Sequence, residues 1–114
     1  MPSSIPSDPG TVVLVRIRFS NDSGTKRRPA VIVSVPEYHR AHADAIVVPL
    51  TTNPQPHFGD CKLGDWQAAG LPRPSTAKAF VQTVERSTFE RALGSLSQRD
   101  LAGVQASIRT VLGL

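Results

Sequence analysis

Lys26, Arg27 and Arg28 stand side by side ahead of an apolar run, and the chemistry they offer is anion capture. A guanidinium grips a phosphate through two parallel hydrogen bonds and keeps its charge at any working pH. The stretch 21–28 (NDSGTKRR) is polar and contains a glycine, which puts the cations at the end of a loop and the start of a strand. Loops held by a rigid scaffold are where binding groups usually sit. The same run equally suits a solvated charge cluster that keeps a hairpin soluble. A second group, Thr51-Thr52-Asn53, sets two hydroxyls and an amide just past another apolar run. Such groups donate to a phosphate oxygen or a base edge, and they also end strands by bonding their own backbone.

His39, His42, His57 and Cys61 are the residues with metal-ligand chemistry. They fall in two separate connectors, without the paired-cysteine or helical two-histidine contexts of a metal site, so no metal is expected. His57 also has the chemistry of an acid or base in RNA cleavage, since imidazole titrates near neutrality. A plain loop histidine is the alternative. Phe58 and Trp66 can stack on unpaired bases or fill a core. Cys61, between Asp60 and Lys62, lacks neighbours that would activate a thiolate. The sequence carries no Gly-rich phosphate loop, serine-hydrolase elbow or dinucleotide fingerprint.

The elements that must position these residues are short. Residues 11–19 alternate, with Val13, Val15, Ile17 and Phe19 on one face and Val12, Leu14, Arg16 and Arg18 on the other, the pattern of a strand. A second strand is expected over 29–35, with Pro29 at its start, where proline is tolerated. Residues 36–44 read as a polar connector, 45–50 as a buried third strand, and 54–74 as Pro- and Gly-rich chain with a short strand near 60–63. Residues 75–84 look extended, and 88–93 suggest a short helical turn. The clearest helix follows Ser97-Gln98-Arg99-Asp100, a capping arrangement. Leu101, Val104, Ile108, Val111 and Leu112 recur on its apolar face, and Gly113 marks the stop. Short strands followed by one amphipathic helix predict a mainly β protein with a C-terminal α-helix, a small barrel.

Composition narrows the class. The chain has 114 residues, 39% hydrophobic and 19% charged, enough for one domain: a disordered Pro- and Ser-rich tail over 1–9 and a folded unit over 10–114. There is neither a membrane-length apolar run nor a signal-peptide pattern. A single cysteine forbids an internal disulfide and fits a reducing, cytoplasmic setting. The net charge of +4 points to an anionic partner such as nucleic acid or an acidic protein.

Five blocks, in order, resemble the MazF/PemK-type toxins. Pro9-Gly10-Thr11-Val12-Val13-Leu14-Val15 is similar to the family's opening strand, with Thr11 where aspartate is usual. Arg28-Pro29-Ala30-Val31-Ile32-Val33-Ser34 resembles its RPAVVLS block, and Val48-Pro49-Leu50-Thr51-Thr52-Asn53 its strand end. Gly70-Leu71-Pro72-Arg73-Pro74-Ser75 and the closing Val111-Leu112-Gly113-Leu114 follow the same likeness. The resemblance implies an SH3-like barrel of the MazF/PemK/CcdB type. It also implies a homodimer that needs no cofactor, cuts single-stranded RNA (mRNA) and is held in check by a cognate antitoxin. Carried over, the family's catalytic pair falls on Arg28 and Thr51. Lys26, Arg27, Thr52, Asn53, His57 and Phe58 are then the expected RNA-binding residues. The family's first loop often carries a Gly-Ser-Glu-Gln segment, whereas this one reads Asp22-Ser23-Gly24-Thr25-Lys26-Arg27. Many members place an Asp-Gln or Glu-Gln pair where this chain has Ala79-Phe80-Val81-Gln82. The cut sequence and the proton acceptor stay unassigned. A gyrase-binding toxin on the CcdB fold and a non-catalytic binding barrel are the competing readings.

Overall fold

β-Branched residues at period two dictate how the sheet is buried. In β1 (Thr11–Arg18), Val13, Val15 and Ile17 enter one core cluster, while Val12 enters a second cluster on the opposite face. The pattern repeats in β2 (Thr25–Ile32), where Ala30 and Ile32 join the first cluster and Val31 the second. In β3 (Asp44–Thr51), Ala45 and Val47 lie on the first side and Val48 and Leu50 on the second. Strands covered on both faces must read as apolar runs rather than as strict alternation. The computed structural model describes residues 5–18, 24–53 and 55–114, so the placing of Phe19 on the inward face and the tip of the 21–28 loop lie outside the described residues.

Every strand pairing among the described residues is antiparallel. The order is β4-β5-β3-β2-β1-β7, with β6 also pairing β3; β4 is Cys61–Lys62, β5 Thr76–Ala77, β6 Gln82–Glu85 and β7 Arg91–Ser95. The sheet curls into a half-barrel around the cluster that holds Val15 and Ile17. Gln82 helps draw the curl together: its amide accepts from Arg18 N–H at 3.3 Å and donates to Arg18 C=O at 2.7 Å, joining β6 to the end of β1. The open side is covered by α2 (Gln98–Leu112), whose Val104 is buried against the second cluster with Leu101 and Ile108 beside it. Burying a valine this fully contributes about 1.5–3 kcal/mol. Val111 and Leu112, expected on that face, are 39% and 57% exposed at the end of the helix.

Both ends of α2 are chemically capped. Ser97 Oγ accepts from Asp100 N–H at 3.2 Å and donates to Asp65 Oδ2 at 2.6 Å. Gly113, at φ 71°, turns the chain into the left-handed region that ends the helix. Asp100, buried in the first turn, accepts from Gly64 N–H and Asp65 N–H at 3.0 and 2.8 Å, pinning the loop after β4 to the helix. A second constraint is the close approach of that loop to β7. Gly70 (φ 81°) leaves no room for a Cβ against the Leu93 carbonyl, and a Cβ on Gly94 would come within 2.5 Å of Ala69 O.

Four boundaries differ from the sequence expectation. Strand β2 begins at Thr25, not at residue 29, because pairing with Arg16, Ile17 and Arg18 holds the polar residues extended. The 36–44 connector contains α1 (Pro36–Ala41), started by a proline whose φ suits the first helical position. Its His39 is buried against Ser34. The expected turn over 88–93 is a 3-10 turn at Arg86–Thr88 followed by β7, whose backbone is recruited by the edge of β1 across a register shift. The extended stretch 75–84 divides into β5 and β6.

Candidate active site

Register, rather than proximity in sequence, brings Arg28 to Thr51. The β2–β3 ladder pairs Ile32 with Val47, Val31 with Val48 and Ala30 with Pro49. Arg28 and Thr51 each lie two residues beyond the Ala30–Pro49 pair, so the ladder carries both to the same end of the β2–β3 pair. Both line an open cleft of about 780 Å³, together with Thr52, Asn53, Arg73 and Ser75. Arg28 is half-buried. It donates from Nη1 to Arg27 C=O at 3.0 Å, and among the described residues no carboxylate pairs with it. Most of its donor fork is therefore available to an anion.

The end of β3 is shaped by two consecutive side-chain turns. Thr51 Oγ1 accepts from Asn53 N–H at 3.1 Å, and Asn53 Oδ1 accepts from Gln55 N–H at 3.1 Å. The local-bonding alternative for Thr51 and Asn53 is thus realised, yet it does not consume the site. The Thr51 hydroxyl keeps its proton for an external acceptor, and Thr52 and the Asn53 NH₂ stay exposed at the cleft.

The three neighbouring cations are dealt to different places. Arg27 points away from the cleft and holds Glu90 with both carboxylate oxygens, Nη2–Oε1 at 2.9 Å and Nε–Oε2 at 3.2 Å. Lys26 is exposed on β2, opposite Ile17 and outside the cleft lining. Of the three, only Arg28 lines the cleft with Thr51.

The four metal-ligand candidates do not converge, and among the described residues no group of three His, Cys, Asp or Glu side chains does. His39 Nε2 lies 2.6 Å from Ser34 Oγ, which itself accepts from Ile46 N–H. Burial, and after it the Arg86 guanidinium, lower the His39 pKa below its ordinary 6.5. His42 stacks on Tyr38. Cys61 packs beside α2, where burial and then Asp100 raise its thiol pKa, so it stays protonated at neutrality. His57 is exposed in the loop after β3, its Nδ1 2.9 Å from Lys78 Nζ. Trp66 packs against the core, whereas Phe58 is 83% exposed.

Sequence reasoning did not single out Arg73, Asp60 or Lys78 as site residues. Arg73 is an exposed cation between two prolines, which stiffen the chain that carries it to the cleft. The Pro-Arg-Pro string was a readable signal. Asp60 and Lys78 form an ion pair of 2.7 Å with side chains only 9% and 11% exposed. Nothing local marks that pair, whose members are 18 residues apart.

The sequence profile of PemK-like, MazF-like toxins of type II toxin-antitoxin systems matches residues 8–112. The chain belongs to this toxin family. No curated protein matches it by sequence. Among solved structures it is similar to a mycobacterial endoribonuclease bound to its cognate antitoxin, with a TM-score of 0.78 at 22% identity, covering 96% of this chain and 97% of that one. It is also similar to MazF in a MazE–MazF complex of Deinococcus radiodurans, with a TM-score of 0.75 at 20% identity over 96% and 98% of the two chains. The Mycobacterium tuberculosis toxin MazF-mt6 superposes with a TM-score of 0.74 at 18% identity over 91% and 97%. These likenesses establish that the half-barrel with its C-terminal helix is the MazF fold. Among the described residues no helix is long and apolar enough to cross a membrane.

Proposed function

We propose that this MazF-family toxin is an endoribonuclease that cuts single-stranded mRNA in the cytoplasm, with Arg28 and Thr51 as its catalytic pair. The observation that carries this reading is one open cleft lined both by Arg28, whose guanidinium has no carboxylate partner among the described residues, and by Thr51, whose hydroxyl proton is uncommitted. The nucleophile is the ribose 2′-OH of the substrate, which attacks the adjacent phosphorus. The bond to the 5′-oxygen of the next nucleotide breaks, leaving a 2′,3′-cyclic phosphate and a 5′-OH. Arg28 stabilises the extra negative charge of the pentacovalent phosphate and gives a proton to the leaving oxygen, and water in the open cleft carries the proton released by the 2′-OH back to the guanidine. Thr51 holds a phosphate oxygen, with Thr52 and Asn53 beside it for the flanking chain. Arg73, across the cleft, extends the positive surface along the backbone. Because the nucleophile belongs to the ribose, DNA is refused.

Lys26, Arg28 and Arg73 also suit the acidic, apolar tail of an antitoxin that folds as it binds. A second copy of the chain fits the exposed apolar side chains around the end of α2, where Phe58, Phe80 and Val111 line one groove and Val81 and Leu112 the next. The deciding experiment incubates the purified protein, in EDTA, with a long single-stranded RNA and with its DNA equivalent. Discrete RNA fragments with 5′-OH ends, lost in Arg28→Ala and Thr51→Ala, are expected. Intact RNA at high protein concentration would overturn the catalytic reading and favour a gyrase-binding or purely binding toxin.

A further inference from the structure

Next to the Arg28–Thr51 cleft lies a smaller one of about 300 Å³, and the two share Thr52 and Ser75. A single-stranded chain gripped by the first is thus led into the second. The wall of the smaller cleft is built around a buried relay. Asp60 Oδ2 accepts from Lys78 Nζ at 2.7 Å and from His57 N–H at 2.8 Å, so one oxygen holds both the ammonium and the loop. Lys78 is held from the other side as well, its backbone N–H donating to Pro49 C=O at the end of β3. An ammonium has donors only, so at the 2.9 Å contact it is His57 Nδ1 that accepts. The neutral ring must then carry its proton on Nε2. A histidine 64% exposed at the mouth of a cleft is in this way given one tautomer and a restrained ring. Fixing an exposed side chain through a buried ion pair is more than a solubilising loop residue needs.

We infer that this second cleft is a base-reading subsite. It takes one unpaired nucleotide adjacent to the scissile phosphate and selects a keto base, uracil or guanine, through the His57 Nε2–H. The inference rests on the ribonuclease reading and adds the residues that choose the base. The polarity of the groups that reach solvent in the cleft sets the preference. His57 Nε2–H and the exposed Lys62 ammonium only donate, while Thr52 and Gln55, which also line the cleft, both donate and accept and so favour neither class of base. Uracil and guanine carry a carbonyl acceptor at C4 and C6 respectively, where cytosine and adenine carry an amino donor that the His57 Nε2–H cannot bond. Lys78 and Asp60 are positioning residues; His57 touches the base.

The test is cleavage of a short RNA library randomised on both sides of a single cut site, read by sequencing. Wild type should show a keto preference at one flanking position. His57→Ala should reduce that preference about five- to tenfold, the worth of one hydrogen bond, while kcat on the best substrate changes much less than KM. His57→Gln, which keeps a donor at a similar reach, should retain it. His57 is exposed, so the variants are expected to fold, and melting curves verify this. Lys78→Met together with Asp60→Asn, which removes both charges of the pair, should blur the same position without abolishing cleavage. An unchanged preference in His57→Ala would overturn the subsite while leaving the ribonuclease intact. If wild type cuts nothing, the ribonuclease reading fails instead. Anisotropy of uracil- and cytosine-bearing oligonucleotides then decides the subsite: a uracil preference lost in His57→Ala supports it, and equal binding overturns it.

Discussion

Arg28→Ala removes the guanidinium on which the proposed chemistry rests, and the structure allows its cost to be worked out. The side chain is half-buried, lines the same cleft as Thr51, and has no carboxylate partner among the described residues. Its one internal bond among the described residues, to Arg27 C=O, is to a neutral acceptor. A charge-assisted hydrogen bond contributes about 1.5–3 kcal/mol. A fork gripping the transition-state phosphate makes two, which share one cation and do not add in full. A loss of about 3–4 kcal/mol, or about 10²–10³ in kcat, is expected. KM should move less, because charge on the phosphate grows between ground state and transition state. Arg28→Lys keeps the charge without the planar fork and should recover only part of the rate. Because the residue makes so few internal contacts, stability should change by less than about 1 kcal/mol. The assay is single-turnover cleavage of a fluorophore–quencher RNA in EDTA, with melting temperatures measured on the same preparations. An Arg28→Ala protein that cuts within about threefold of wild type would refute the reasoning. If Arg73→Ala were at the same time severely slowed, the charge-stabilising role would pass across the cleft to Arg73.

The remaining predictions concern the frame of the site. Asp60→Asn leaves the buried Lys78 ammonium without its partner and should cost about 3 kcal/mol, read as a lower denaturant midpoint at unchanged m-value; no change would show that the pair is solvated. His39 titrates below its ordinary 6.5 in the folded chain, through burial and then Arg86, opposed by Asp8. Between the folded value and 6.5 the unfolded chain therefore binds more protons, so this contribution to stability is complete above about pH 6.5 and is lost as the pH falls. His39→Gln should flatten the fall in melting temperature between pH 7 and 5, and an identical slope in the two proteins would disprove the assignment. Gly70→Ala combines a left-handed φ with a collision against the Leu93 carbonyl. It should cost more than about 3 kcal/mol and leave little folded protein, whereas a normal melting curve would show that the loop can move away from β7.

Periodicity and local chemistry were sufficient for the parts of the molecule that answer to near neighbours. The apolar runs in β1, β2 and β3 are legible because both sheet faces are buried there, and α2 because Ser97 and Gly113 supply its caps within a few residues. The ordered blocks around Arg28-Pro29 and Thr51-Thr52 revealed the family, and with it the expectation that those two residues work together. The tertiary structure decided the rest. It brought Arg28 and Thr51 to one cleft at the end of a ladder whose register no local rule supplies, and it turned the adjacent Arg27 outward to Glu90 because neighbouring residues on a strand face opposite ways. Arg73 reached the cleft, and Lys78 reached Asp60 and His57, through loops whose course depends on the Gly70–Gly94 contact and the Asp100 clamp. Strand β7 and helix α1 escaped the sequence for the same reason. Their residues have weak preferences of their own and take their form from the edge of β1 and the pocket for His39. Side-chain patterns specify which face of an element is buried; only long-range pairing specifies which elements share that burial, and the cleft lined by Arg28 and Thr51 is made where they meet.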